Sequence, residues 1–180
     1  MQITRDQILK IMPTAAHRVD AYLPHLNKYM PLAGMNTVLR AAFFLAQCAH
    51  ESGEFRYTHE LASGEAYDTG RLAKQLGNTP EADGDGQKFK GRGAIEITGA
   101  DNYRRCSIAL FGDARLLDTP DLLEEPEWGV AASCWFWTDK MLNSFADRND
   151  FIGCTRKINP GLLHLAERQA YLTRAIPALT

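Results

Sequence analysis

The sequence predicts a mostly α-helical single domain, residues 1–180, with a small β element lining a groove. Three observations carry that expectation. The stretch 36–52 has the length of a helix and almost no polar face, which places it at the centre of a core. Segments on either side repeat apolar residues at helical spacing between cap signals. Only 94–98 alternates, with Ala94, Glu96 and Thr98 set against Ile95 and Ile97, the signature of a short half-buried strand.

Taken in order, the first helix covers 4–12. It opens on Thr4-Arg-Asp-Gln7, in which a hydroxyl and an amide three residues on satisfy each other's backbone N–H groups. A second helix covers 14–29. The third, 36–52, takes Asn36 as its N-cap and Gly53 as the residue that turns the chain away. Residues 62–93 differ, mixing glycines with acids, lysines and small polar residues, and lead into Gly91-Arg-Gly-Ala-Ile-Glu-Ile-Thr-Gly99. A long glycine-rich loop inside a compact domain is commonly functional, and this one reads as the wall of a cleft. Helical patterning resumes over about 101–111, 120–125, 126–141, 150–158 and 162–175. Pro120 and Pro126 suit first-turn positions, where a missing N–H leaves no bond unmade.

Composition narrows the class. The chain of 180 residues is long enough for one sizeable core, and 45% hydrophobic with 23% charged residues is a soluble, globular balance. A formal net charge of −2 provides no basic excess for neutralising nucleic-acid phosphates. The most apolar window, 38–49, is too short to span a bilayer, so membrane insertion is not expected. Charges stand in the first ten residues where a signal peptide needs an apolar run, so synthesis in the cytoplasm without a signal peptide is expected. Cys48, Cys106, Cys134 and Cys154 form no Cys-x-x-Cys pair. They read as four reduced thiols and not as a zinc site.

The chemistry concentrates at Ala49-His-Glu-Ser-Gly53, where the core helix meets the surface, and at Glu60 beyond it. At a helix C-terminus the dipole and partial burial both disfavour a carboxylate, so Glu51 is expected to hold its proton. A protonated acid beside a better solvated one is what hydrolysis of a glycosidic bond requires. Paired glutamates also occur as ordinary solvated helix ends, so the pair alone does not decide. Glu65 competes with Glu60 for the second role. His50, Glu51, Glu54, His59 and Glu60 bring a metal to mind, but Glu54 stands where the second histidine of His-Glu-x-x-His belongs, and no metal is expected. His50 reads instead as a last-turn histidine packed beside the core or bonded to a carbonyl. Trp135 and Phe136 read as core, with Trp128 or Trp137 partly exposed to stack on a sugar.

Several segments together resemble the family 19 glycoside hydrolases, specifically the lysozyme-type branch found among phage endolysins and chitinase-related proteins. They are Ala46-Gln-Cys-Ala-His-Glu-Ser-Gly53, Glu60-Leu-Ala-Ser-Gly-Glu-Ala-Tyr67, Gly84 to Gly99 with its Gly-Arg-Gly and Ile-Thr-Gly, Asn102-Tyr103, Ile158-Asn-Pro-Gly161 and Ala166-Glu-Arg168. The resemblance runs in order over roughly 36–175 and implies a lysozyme-like fold with one catalytic domain and no separate wall-binding domain. It implies Glu51 as general acid, Glu60 as general base and Thr98 as the hydroxyl that holds the attacking water. It makes Glu96, Tyr103, Asn159 and Arg168 the substrate-binding positions, with Tyr103 in the sugar groove and Arg168 also supporting the carboxylates. Where the family usually has glutamine, this chain has Glu96, which either raises the Glu51 pKa or is silenced by Arg168 or Arg92. The implied activity is inverting cleavage of β-1,4 bonds between amino sugars of peptidoglycan, without metal or cofactor, by a monomer. Lys88, Lys90 and Arg92 are either a solvated strand flank or a contact for the acidic peptide stems. Such an enzyme would reach the bacterial wall after holin-type release or by injection. The alternatives are a chitinase acting on chitin oligomers and a non-catalytic module that binds glycans.

Overall fold

The computed structural model describes residues 1–180, of which 64% are helical. Ten α-helices occur: α1 Arg5–Ile11, α2 Val19–Leu32, α3 Val38–Glu51, α4 Gly70–Leu76, α5 Asp85–Lys88, α6 Ala100–Phe111, α7 Pro126–Asp139, α8 Asn143–Asp147, α9 Phe151–Ile158 and α10 Leu165–Leu179. Short 3-10 turns at Pro13–His17, Glu65–Tyr67, Arg115–Leu117 and Pro120–Glu124 join them. No helix is long and apolar enough to cross a membrane.

The capping box forms as expected, with Thr4 Oγ1 accepting the Gln7 N–H at 3.3 Å and Gln7 Oε1 accepting the Thr4 N–H at 2.9 Å. Helix α2 starts and ends later than the sequence suggests, after the 3-10 turn Pro13–His17, and runs through Pro24 and Pro31. Its inward stripe of Val19, Tyr22, Leu26 and Met30 packs on the core, and that burial outweighs the bonds the prolines remove. Helix α3 is capped by Thr37, not Asn36, and Gly53 turns the chain away at φ +54°. Every residue from Ala41 to Ala49 is buried, so α3 is the central helix. Helix α10 packs along it and continues to Leu179, past the expected end.

Two cores result. The larger holds 31 buried residues, mostly from α1, α2, α3, α7, α9 and α10. The smaller holds eight, including Phe89, Ile97, Tyr103, Cys106 and Leu123, beneath α6 and the adjacent 3-10 turns. Helix α7 serves both, with Val130 and Trp137 in the larger and Ala132 in the smaller. Trp137 is fully exhausted by this role: it has no exposure and its Nε1–H donates to Asn143 Oδ1 at 2.8 Å, so it is no sugar platform. All four cysteines are buried and unpaired.

The segment 94–98 is not an extended strand. It belongs to a tight hairpin closed by Arg92 and Ile97, whose backbones exchange hydrogen bonds of 3.1 and 2.7 Å. Gly93 at φ +82° and Glu96 at φ +58° fold the chain back, which alternation of side chains could not reveal. Ile95 and Ile97 do point into the core, but so does Ala94. The glycine-rich stretch also holds two short helices, α4 and α5, that its composition does not signal. Asp68 Oδ1 organises it, accepting the N–H groups of Gly84 and Gly86 at 2.9 Å each. Gly86 lies so close to the Asp68 backbone and the Gly64 carbonyl that no side chain fits there.

Candidate active site

Glu51 ends α3, and its side chain is 14% exposed. Arg168, on the first turns of α10, places Nη1 2.6 Å from Glu51 Oε1 while being 1% exposed itself. The same guanidinium donates to Gln47 Oε1 at 2.6 Å and to the Leu163 carbonyl at 3.2 Å. Gln47 in turn donates to Thr155 Oγ1 at 2.8 Å, which reaches back to the Phe151 carbonyl at 2.9 Å. A fully buried chain of polar groups thus joins α3, α9 and α10 under Glu51. Arg168 is the cation beside Glu51 that its position at the end of a helix does not reveal.

The opposite wall consists of loop residues. The Glu60 N–H donates to the Gly91 carbonyl at 2.8 Å, and Glu60 Oε2 accepts the Gly91 N–H at 3.3 Å. Glu60 Oε1 accepts the Tyr67 hydroxyl at 2.9 Å. Both donors hold this carboxylate as an acceptor. Gly91 is the pivot: a Cβ there would lie 3.0 Å from Glu96 Cβ, 3.3 Å from Glu60 Cβ and 3.3 Å from Thr98 Oγ1. The Thr98 hydroxyl donates to the Glu96 carbonyl at 2.9 Å, which leaves its lone pairs free to accept a proton from a water.

Glu96 is the acid whose titration the site distorts. Burial first, then the charges of Glu51 and Glu60, push its pKa up from 4.5 to about 7, with Arg168 opposing. It forms no ion pair, and Arg92, the other cation considered for it, is committed to Asp121 and Glu124 at 2.7 and 3.0 Å. Glu51, Glu60, Glu96, Thr98 and Arg168 therefore come together as the motifs imply.

Tyr103 does not join them. It is fully buried in the smaller core, donates to the Lys90 carbonyl at 2.7 Å and accepts from Arg92 Nη1 at 3.0 Å. Its place on α6 beside Ala100 and Ser107, three and four residues away, is the inward face of that helix. Arg92 is likewise structural, and burial removes it from any basic contact surface. Asn159 follows α9 and accepts the Leu163 N–H at 3.3 Å, so its side chain closes its own loop. Glu65 is exposed and leaves the second wall to Glu60. His50 packs at the helix end with Nδ1 3.4 Å from Glu167 Oε1, outside hydrogen-bonding geometry, and burial and Arg168 lower its pKa. Glu54 is spent on Thr14 and Tyr171, at 2.6 and 3.0 Å. No group of three His, Cys, Asp or Glu side chains is arranged to hold a metal ion. Two contributors escaped the sequence reading, Gln47 and Tyr67. A glutamine inside an otherwise apolar helix was the available signal for the first, because such a group demands a partner.

No family model matches the chain. A glycosyl hydrolase family 19 domain-containing protein of Haemophilus influenzae is 30% identical over 194 aligned positions, covering 93% of this chain and 92% of that one. The chain belongs to glycoside hydrolase family 19. It is a glycoside hydrolase. An endochitinase of Arabidopsis thaliana, At2g43620, is 36% identical over 143 positions, which are 79% of this chain and 46% of that protein. Among solved structures, chitinase C of Streptomyces griseus superposes with a TM-score of 0.76 at 22% identity, covering 98% of this chain and 92% of that one. A bacterial family 19 chitinase gives 0.74 at 20% identity, covering 99% and 95%. These two likenesses concern the fold, which the family 19 chain shares almost end to end.

Proposed function

We propose that this family 19 enzyme cleaves β-1,4 bonds between the amino sugars of peptidoglycan by an inverting mechanism. The observation that carries the mechanism is the convergence of Glu60, Glu96 and Thr98 on Gly91, with Glu51, pinned by Arg168, near enough for its charge to act on Glu96. Glu51 protonates the departing glycosidic oxygen. Glu60, kept as an acceptor by Tyr67 and Gly91, takes a proton from a water whose other proton points to Thr98, so that the water's lone pair faces the anomeric carbon. Arg168 returns Glu51 to its starting geometry and favours the anion formed once the proton has left. The residues act without metal or cofactor, and the protein works as a monomer.

Peptidoglycan as the polymer is supported by the motifs, which resemble the lysozyme-type branch of the family, and not by length, since chitinase C is matched over 92% of its chain. The chain pairs with nearly all of the Haemophilus protein, but spans about half the length of the plant endochitinases it matches. Delivery to the wall would follow holin-type release or injection. The names of those plant relatives favour a second reading, hydrolysis of chitin oligomers. Mass spectrometry of digested peptidoglycan, with NMR of the first anomer released, tests the proposal. A new reducing-end amino sugar of inverted configuration is expected. Intact strands alongside hydrolysed chitin oligomers would favour the second reading, and a retained anomer would overturn the mechanism.

A further inference from the structure

Beside Thr98 and Glu96 lies a cavity whose apolar lining is Leu76, Ile95, Phe136 and Ile158 and whose only cations are Lys140 and Lys157. Lys140 lies 3.1 Å from Asp139 and 5.5 Å above the Phe136 ring, and Asp139 is shared with Arg105, so its charge is largely answered. Lys157 is different. It stands in the last turn of α9, is exposed, and forms no ion pair with any carboxylate of the chain. The one acid in the cavity, Glu96, retains its proton to about pH 7 and so offers Lys157 no full charge in a mildly acidic medium. An unpartnered cation at the mouth of an apolar cavity, next to the groups that act on the sugar, has the composition of a subsite for an anionic substituent.

We propose that Lys157, with Lys140 in support, recognises a carboxylate carried on an amino sugar of the substrate, and so sets the preference for acidic over neutral glycan. This rests on the peptidoglycan reading, because chitin is built from N-acetylglucosamine and carries no anion, whereas the lactyl ether of a muramyl residue ends in a carboxyl group that is either free or extended by an acidic peptide. The methyl and ring faces of such a residue suit Ile95, Phe136 and Ile158, and its carboxylate suits the ammonium at the rim. Of the basic residues singled out in the sequence, Arg92 is buried in its own ion pairs. Lys157, two residues before Asn159, was not among them.

The test compares kcat/KM on soluble, peptide-free glycan strands bearing free lactyl carboxylates with kcat/KM on neutral N-acetylglucosamine hexamers. For Lys157→Met the acidic-to-neutral ratio should fall about tenfold, the effect of one charge-assisted contact, and for Lys157→Glu it should fall further. Lys140→Met should lower it less, and Lys10→Met, remote from the cleft, should not move it. Raising salt should depress the ratio in the parent and have less effect in Lys157→Met. A ratio that is the same in the parent and both Lys157 variants, while the parent cleaves the strands, overturns the inference alone. A parent that cleaves only the neutral hexamer overturns the peptidoglycan reading and this inference with it.

Discussion

The two walls of the cleft hold their carboxylates by different physics. Glu51 rides on the central helix and is fixed by a buried guanidinium that also answers Gln47. Glu60, Glu96 and Thr98 sit on loop and hairpin; Glu60 is hydrogen-bonded to Gly91, and all three crowd the place where a side chain at 91 would stand. In the first wall, site geometry and stability share the same atoms. In the second, geometry depends on a close approach that contributes little to the core. Damage should therefore appear as unfolding on the helical side and as misplacement on the loop side.

The largest effects should test that contrast on the helical side. Glu51→Gln removes the proton and also the carboxylate paired with the buried Arg168, so hydrolysis should fall by about 10²–10⁴-fold and the melting temperature should fall with it. Arg168→Met leaves Glu51 and Gln47 without their cation, and denaturant titration should show a loss of about 3–5 kcal/mol. A stable Arg168→Met protein would mean that the two walls do not differ as described. On the loop side, Gly91→Ala should reduce kcat by about 10²-fold through displacement of Glu60, Glu96 and Thr98, with a smaller change in stability. Equal losses of stability from Gly91→Ala and Arg168→Met would erase the comparison. Tyr67→Phe removes one donor from Glu60, and kcat should drop about tenfold while KM holds.

The smallest change in peak activity is expected for Glu96→Gln, and here pH is the readout. The Glu96 carboxyl titrates near 7 when folded against an ordinary 4.5, so the folded protein binds its proton more tightly between those values. Stability from this group is then full at low pH and falls as pH rises through that window. Thermal melts should show the advantage of Glu96→Gln over the parent growing by up to about 3 kcal/mol from pH 4 to pH 8. The alkaline limb of the activity profile should also move to lower pH, because the repulsion between the Glu96 and Glu51 carboxylates is removed. An unaltered limb would mean that Glu96 lies outside the electrostatics of the reaction. Activity lost at every pH would make Glu96 itself a reacting group.

Much of the helical wall could be read from sequence because one period governs it. The apolar run, the cap region and Gly53 together place Glu51 at a core-helix end, within a residue of the observed boundary. The glycines marked the loop as a cleft wall, but the meeting of Glu60 with Glu96 and Thr98 came only from the motif resemblance, since the bonds that shape it are backbone bonds between distant segments and the left-handed Glu96 has no sequence signature. Tyr103 shows the opposite failure. Its motif suggested a groove, while the helical spacing of Ala100, Tyr103 and Ser107 already described an inward face. Local periodicity was the better guide there. Gln47 and Tyr67 were missed because each matters through a partner more than a hundred or just seven residues away, at Arg168 and Glu60 respectively.

The four sealed cysteines have a practical corollary. Burial pushes the Cys106 and Cys154 thiols up to about 12, and Cys48 and Cys134 are equally shut away, so maleimide-type reagents should leave the folded enzyme untouched. A single new thiol would then be the molecule's one attachment point. Leu61, 72% exposed and next to Glu60, is the natural place for it. A dye carried there would sit at the lip of the cleft, and its brightness would report glycan entering and leaving in real time.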